Sequence, residues 1–272
     1  MQQPYLMGHT DHERRRLSLQ ASVLNPLTER FLRQAGIAEG MRVLDLGCGV
    51  GEVSLLVAGL VGAKGHVTGI DIDGASLQVA RGRAQQQRYR HLIFEQSECL
   101  GHGPQSRYDA VIGRHILLHT SDPLSVIRQA ILLSRPAGII AFQEYDFSHV
   151  LHGYPDLPLA NHVLELAWEV FRRATPHGNI GMRLFHLFTE AGLADPECLA
   201  ESPIGGGAAS PFYEWIAETI RSVLPRMEAL GLATSAEIEI DTLAGRLREE
   251  ALSRRSCIVG ATMVGAFARQ KP

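Results

Sequence analysis

The chain has 272 residues, of which 45% are apolar, and carries 26 basic against 29 acidic residues for a net charge of −3. That length accommodates one large α/β domain with insertions, or at most two small domains, and the mild acidity argues against a nucleic-acid partner, which normally selects a basic face. No run approaches the ~18 consecutive apolar residues of a membrane span, and His9, Asp11 and Glu13 stand where a leader peptide would need an apolar segment, so a cytoplasmic location without membrane partners is expected.

In chain order, residues 12–35 read as an N-terminal helix, with Leu17, Val23, Leu24, Leu27, Phe31 and Leu32 at helical spacing and a break expected near Asn25-Pro26. From 42 to 146, five short apolar strands (42–46, 66–71, 91–95, 108–113 and 138–144) alternate with helical stretches (51–61, 74–87 and 123–134). Such alternation predicts parallel strands joined by crossover helices, with a ligand lying across their carboxyl ends. The link between the third and fourth strands, 101–106, is too short and too rich in Gly and Pro for a long helix. Farther on, helices are expected to about 174, over 182–191, at about 210–230 and over 235–253, with a strand at 196–203 and a closing strand over 258–269.

The chemistry concentrates at the end of the first strand, Val43-Leu44-Asp45-Leu46-Gly47-Cys48-Gly49-Val50-Gly51, and of the second, Gly69-Ile70-Asp71-Ile72-Asp73. Glycines at every second position let the backbone adopt positive φ and approach a ligand closely. The following helix offers free N–H groups, and an acid about twenty residues on can grip a ribose diol. A pyrophosphate fingerprint needs its third glycine three residues after the second; Glu52 occupies that position, and its carboxylate would repel a diphosphate. Asp45 suits a ligand bearing an amino group. Asp71 also has a simpler reading as a helix cap for the segment after Gly74.

This run resembles the first motif of the class I S-adenosylmethionine (SAM) methyltransferases, small-molecule type. Phe94-Glu95-Gln96-Ser97-Glu98-Cys99 resembles the family's third-strand end, Tyr108-Asp109-Ala110-Val111-Ile112-Gly113-Arg114-His115-Ile116-Leu117-Leu118-His119 its fourth strand and following turn, and Arg135-Pro136-Ala137-Gly138 the turn before the fifth. The resemblance implies a Rossmann-like, doubly wound, seven-stranded and mostly parallel sheet with the last strand antiparallel, a helical N-terminal cap over 1–35, a SAM-binding core over 36–148 and lid insertions within 149–272, in a single domain. It implies SAM as methyl donor, held by Asp45, Gly47, Gly49, Gly51, Asp71, Ile72, Glu98, Cys99 and Arg114, with Tyr5 folding over the sulfonium unless it is a frayed terminus.

His115 and His119, four residues apart and read as one helical face, are candidates for a general base toward a hydroxyl acceptor; the plainer reading makes both structural. Tyr145 and Phe147, just past the fifth strand, could wall the substrate pocket or belong to the core. The expected reaction is in-line methyl transfer to an O, N or C atom of a small molecule. A nicotinamide-dependent oxidoreductase and an inactive SAM-binding protein are the alternatives. The four cysteines, Cys48, Cys99, Cys198 and Cys257, lack metal-site spacing, so no metal is expected. The sequence leaves the oligomeric state open, a homodimer included.

Overall fold

The computed structural model describes residues 11–101, 108–175 and 177–271. The chain divides into two compact units: a sheet unit of Leu27–Tyr145, Ile180–Ala200 and the segment from Met263 onward, and a helical unit made of residues up to Pro26, Asp146–Asn179 and Glu201–Thr262.

The sheet unit is built on seven strands: β1 (Arg42–Leu46), β2 (His66–Asp71), β3 (Leu92–Gln96), β4 (Tyr108–Arg114), β5 (Ser134–Asp146), β6 (Glu197–Glu201) and β9 (Thr262–Arg269). Their order is β3-β2-β1-β4-β5-β9-β6, with the first five parallel in register and the final strand of the chain antiparallel. Val43, Leu44, Leu46, Val111 and Ile140 are fully buried, as central strands covered on both faces require, and this explains their unbroken apolar runs. Helices α2 (Glu52–Val61), α3 (Gly74–Gln86) and α4 (Pro123–Leu133) are the crossovers. α2 buries Val53, Leu55, Val57, Ala58 and Val61, each large side chain contributing about 1.5–3 kcal/mol. The sheet order reverses between β1 and β4, the place where open α/β sheets leave a crevice for ligand.

In the helical unit, α5 (Pro158–Ala174), α7 (Phe212–Ala229) and α9 (Leu243–Arg254) pack together. α9 also caps α5: the Glu250 carboxylate accepts from the N–H groups of Leu159 (2.8 Å) and Ala160 (3.0 Å), donors that no carbonyl of the same helix can satisfy.

Four expectations are corrected. Helix α1 (Asp11–Ala35) is continuous through Pro26, with no break at Asn25-Pro26; one lost backbone bond is outweighed by burial of Leu24, Leu27, Phe31 and Leu32 on either side of it. The fifth strand is longer than 138–144, and the Arg135-Pro136-Ala137-Gly138 turn is a bulge inside it, where the partner of Tyr108 is Ser134 but that of Ala110 is Ile139. The segment 235–253 is two helices, α8 (Ser235–Ile238) and α9, separated by Glu239 in a left-handed conformation. The closing segment is also two strands. β8 (Ile258–Val259) pairs with β7 (Ile204–Gly205) in a separate ribbon, and Gly260, whose N–H donates to Pro203 O, ends that pairing before β9 begins.

Candidate active site

The loop from β1 to α2 is shaped by Gly47, Gly49 and Gly51, all at positive φ (+66°, +52° and +81°). At Gly47 the requirement is also one of space, because a Cβ there would lie 2.5 Å from Cδ1 of Ile116. The loop is tied to β2 by Asp71: Oδ2 accepts from Gly49 N (2.8 Å) and Oδ1 from Asp73 N (2.9 Å). The helix-cap reading falls to a different residue, since Asp73 caps α3 by accepting from Ala75 N and Ser76 N at 3.1 Å each. Asp71 is partly exposed, and each of its oxygens has a second lone pair for a ligand hydroxyl.

The end of β3 is laced to the same place. Ser97 N donates to Asp71 O (3.0 Å) and Gln96 Nε2 to Ile72 O (2.9 Å). Ile72 is 50% exposed, an apolar surface beside the carboxylate, and Glu98 is exposed. The Cys99 thiol meets the Gly47 backbone, and burial pushes its pKa up to about 11. Asp45, Gly47, Gly49, Gly51, Asp71, Ile72, Glu98, Cys99 and Arg114 thus gather at the carboxyl ends of β1 to β4. Tyr5 lies outside the described residues.

Two charges behave unlike free surface groups. Asp45 is buried and accepts from Ser54 Oγ at 2.6 Å; burial raises its pKa to about 7, with the Ser54 bond and Arg114 partly offsetting the rise. Glu52 does not carry an unbalanced charge toward the loop, because Arg83 pairs with it at 2.6 Å and also donates to Val50 O (3.0 Å). Discrimination against a diphosphate therefore rests on the glycine spacing and not on repulsion by Glu52.

The turn after β4 differs most from expectation. His115 has φ +57°, a left-handed conformation uncommon for a residue with a Cβ, and a single-turn 3₁₀ helix (Leu117–His119) follows. His115 and His119 consequently do not share an α-helical face. The His115 N–H donates to Gln143 O (3.0 Å), and its ring stacks on Tyr145 at 4.0 Å between centroids and 10° between planes. His119 is exposed as a residue, and desolvation by the protein around its ring lowers its pKa.

Glu144, fully buried in β5, holds this turn: Oε1 accepts from the N–H groups of Ile116 and Leu117 (2.9 Å each) and Oε2 from Leu118 (3.3 Å). Next to it Gln143 Oε1 accepts from Thr28 Oγ1 (2.7 Å), which in turn accepts from Arg114 Nη1 (3.0 Å). The sequence reading missed Thr28, Gln143 and Glu144. The signal was a pair of polar residues, Gln143-Glu144, inside an otherwise apolar strand. Tyr145 remains at the turn, whereas Phe147 belongs to the helical unit, 2% exposed and stacked on Phe171 at 4.9 Å beside Trp168. Its packing there is that of a core residue.

The cradle fits an adenosine-type donor carrying an amino-acid tail. The floor at Gly47 admits no side chain, a Cβ on Gly49 would meet no described residue beyond its chain neighbours within 4 Å, and the Asp71 carboxylate stands at the second strand's end. Among the described residues no cluster of His, Cys, Asp and Glu could hold a metal ion, and no helix is long and apolar enough to cross a membrane.

The family model for a methyltransferase domain matches residues 37–183, which is 147 of the 272 residues. The chain belongs to this family, the class I, Rossmann-like methyltransferases that use SAM. Among curated proteins it is similar to the ubiquinone biosynthesis O-methyltransferases of Alkalilimnicola ehrlichii (37% identical over 124 residues, 44% of this chain and 48% of the relative) and Bordetella pertussis (36% over 122 residues, 44% and 49%). The matched stretch spans about half the length of these relatives. Among solved structures it shares its fold with phosphoethanolamine N-methyltransferase 2 of Haemonchus contortus in complex with SAM, at TM-score 0.55 and 18% identity over 91% of this chain and 53% of that one.

Proposed function

We propose that the protein transfers the SAM methyl group to a hydroxyl of a small organic acceptor. The observation that carries this reading is the juxtaposition of the Asp71-pinned glycine loop with a left-handed His115 whose Ile116 neighbour lies on the loop floor. The ubiquinone-type O-methyltransferase relatives support oxygen as the acceptor atom.

SAM supplies, when bound, an activated sulfonium methyl, so the protein's own work is alignment and exclusion of water. Well-oriented intramolecular reactions show that alignment can lower a barrier by about 7–11 kcal/mol. Asp71 would bind the ribose diol and Ile72 would lie against the adenine. Buried Asp45, bonded to Ser54, lies beneath the loop. His115, fixed by its stack on Tyr145, would accept the acceptor's hydroxyl proton as its oxygen takes the methyl carbon and the S–CH3 bond breaks with its electron pair on sulfur, leaving S-adenosylhomocysteine; Tyr145 is the remaining candidate for the acceptor wall.

The test pairs calorimetry with product analysis. S-adenosylhomocysteine should bind and NADH should not; heat from NADH alone would favour the oxidoreductase reading. Incubation with methyl-labelled SAM and a panel of phenols, amines and carbon acids should label the phenols. Donor binding with no labelled product from any acceptor would favour a SAM-binding protein without transfer activity.

A further inference from the structure

The Glu144 carboxylate is placed as few buried acids are. It has no solvent exposure, and among the described residues no cation pairs with it; its partners are the backbone N–H groups of Ile116, Leu117 and Leu118. A buried carboxylate without a counter-charge weakens a fold unless hydrogen bonds fully replace water. Here they do so partially, with two bonds at 2.9 Å and one at 3.3 Å. Ile139, Ile140, Ala141 and Phe142, which lead up to it in β5, are apolar and fully buried, so among the described residues the acid stands in surroundings that offer it no other polar partner than these amides.

What the carboxylate secures is a turn with two contacts to the site. Ile116 occupies the space over both Gly47 and Gly113: a Cβ on the first would meet its Cδ1 at 2.5 Å, and one on the second its Cγ2 at 2.8 Å. His115, immediately before the three gathered N–H groups, is held at φ +57° with its ring on Tyr145. Without an acceptor at Glu144, three successive N–H groups would face the interior unpaired, and the left-handed step at His115 would have less to oppose its relaxation.

We propose that Glu144 is a positioning residue of the methyl-transfer site, whose buried carboxylate fixes the 115–118 turn against the donor loop at the expense of fold stability. The role in transfer rests on the functional reading above; the hold on the turn and the stability cost do not.

The substitution Glu144→Gln separates these roles. It keeps the size of the side chain and an oxygen for Ile116 and Leu117, removes the charge, and turns an NH2 group toward the Leu118 N–H. The groups facing position 144 are those three amides, flanked along β5 by Gln143, which is bonded to Thr28, and Tyr145, which is stacked on His115. At pH 9, Glu144→Gln should melt at or above the wild-type temperature. Amide hydrogen exchange at Leu118, the amide that loses its acceptor, should be at least tenfold faster, and kcat at least tenfold lower with the donor KM changed less than threefold.

A melting temperature lowered by several degrees would make the carboxylate an ordinary structural acceptor and overturn the proposal. Unchanged exchange at Leu118, or an unchanged kcat in an active enzyme, would overturn it too. If the wild-type protein binds S-adenosylhomocysteine but methylates no acceptor, the functional reading fails on its own, and melting and exchange still decide whether Glu144 holds the turn against stability.

Discussion

The donor loop and the 115–118 turn flank the same strand ends and use the same device, a carboxylate that gathers backbone N–H groups, but they use it differently. Asp71 collects two, from Gly49 and Asp73, within the opening β-α-β segment, and stays partly exposed. Glu144 collects three from residues 26 to 28 positions earlier and is wholly enclosed. The first carboxylate keeps lone pairs for a ligand; the second spends its capacity on the protein. Exposure is what separates the two carboxylates.

The largest effect that would break the comparison is at the floor shared by the two regions. Gly47→Val places a β-branched side chain at φ +66° and against Ile116, and strain with overpacking should cost at least ~3 kcal/mol of stability. Thermal melting and S-adenosylhomocysteine calorimetry should show a lower midpoint and no measurable binding. Asp71→Ala comes next: it should weaken S-adenosylhomocysteine at least tenfold, or ~1.4 kcal/mol, whereas Glu144→Ala should leave that affinity within a few-fold. Equal losses in the two variants would erase the distinction between recognition and support.

A third effect follows from the raised pKa values of Asp45, about 7 against an ordinary 3.8, and Glu144, about 8 against 4.5. Burial is the main cause in both. Between the unfolded and folded values the native protein retains protons that the unfolded chain has released, so stability falls as pH rises. The slope reaches up to ~1.4 kcal/mol per pH unit for each group, acting from about pH 4 to 7 for Asp45 and from about 4.5 to 8 for Glu144. Urea midpoints at pH 5 to 8 should decline, and Glu144→Gln should flatten the upper part of that decline. The smallest effect belongs to His115→Gly. Relief of the left-handed backbone, ~1–2 kcal/mol, is opposed by loss of the Tyr145 stack, ~0.5–1.5 kcal/mol, so the midpoint should move little. Donor affinity should hold while turnover drops at least tenfold; undiminished turnover would remove the imidazole from the chemistry.

Much of the donor side was legible because its determinants are local. Glycine spacing, the acid at Asp71 and the alternation of strands and helices within 42–146 are all short-range patterns, and they lead to the right sheet and family. The reading went astray where distant residues decide the outcome. Pro26 signals a break, but burial along α1 carries the helix through. His115 and His119 look like an i, i+4 pair until a carboxylate from β5 draws the intervening amides inward. Phe147, which the sequence leaves between pocket wall and core, packs with Phe171 and Trp168, partners that no local pattern announces. Glu144 left only a faint trace, an acid in an apolar strand, whose meaning depends on which amides the fold brings to it.

The Glu52–Arg83 pair has a consequence for the working medium. Both partners are largely shielded and lie 2.6 Å apart beside the glycine loop, far inside the ~8–10 Å over which dissolved ions screen exposed charges. The Glu52 charge is closed by a short internal ion pair, so its own share in the affinity for a zwitterionic, singly cationic adenosine should vary little between dilute buffer and moderate ionic strength.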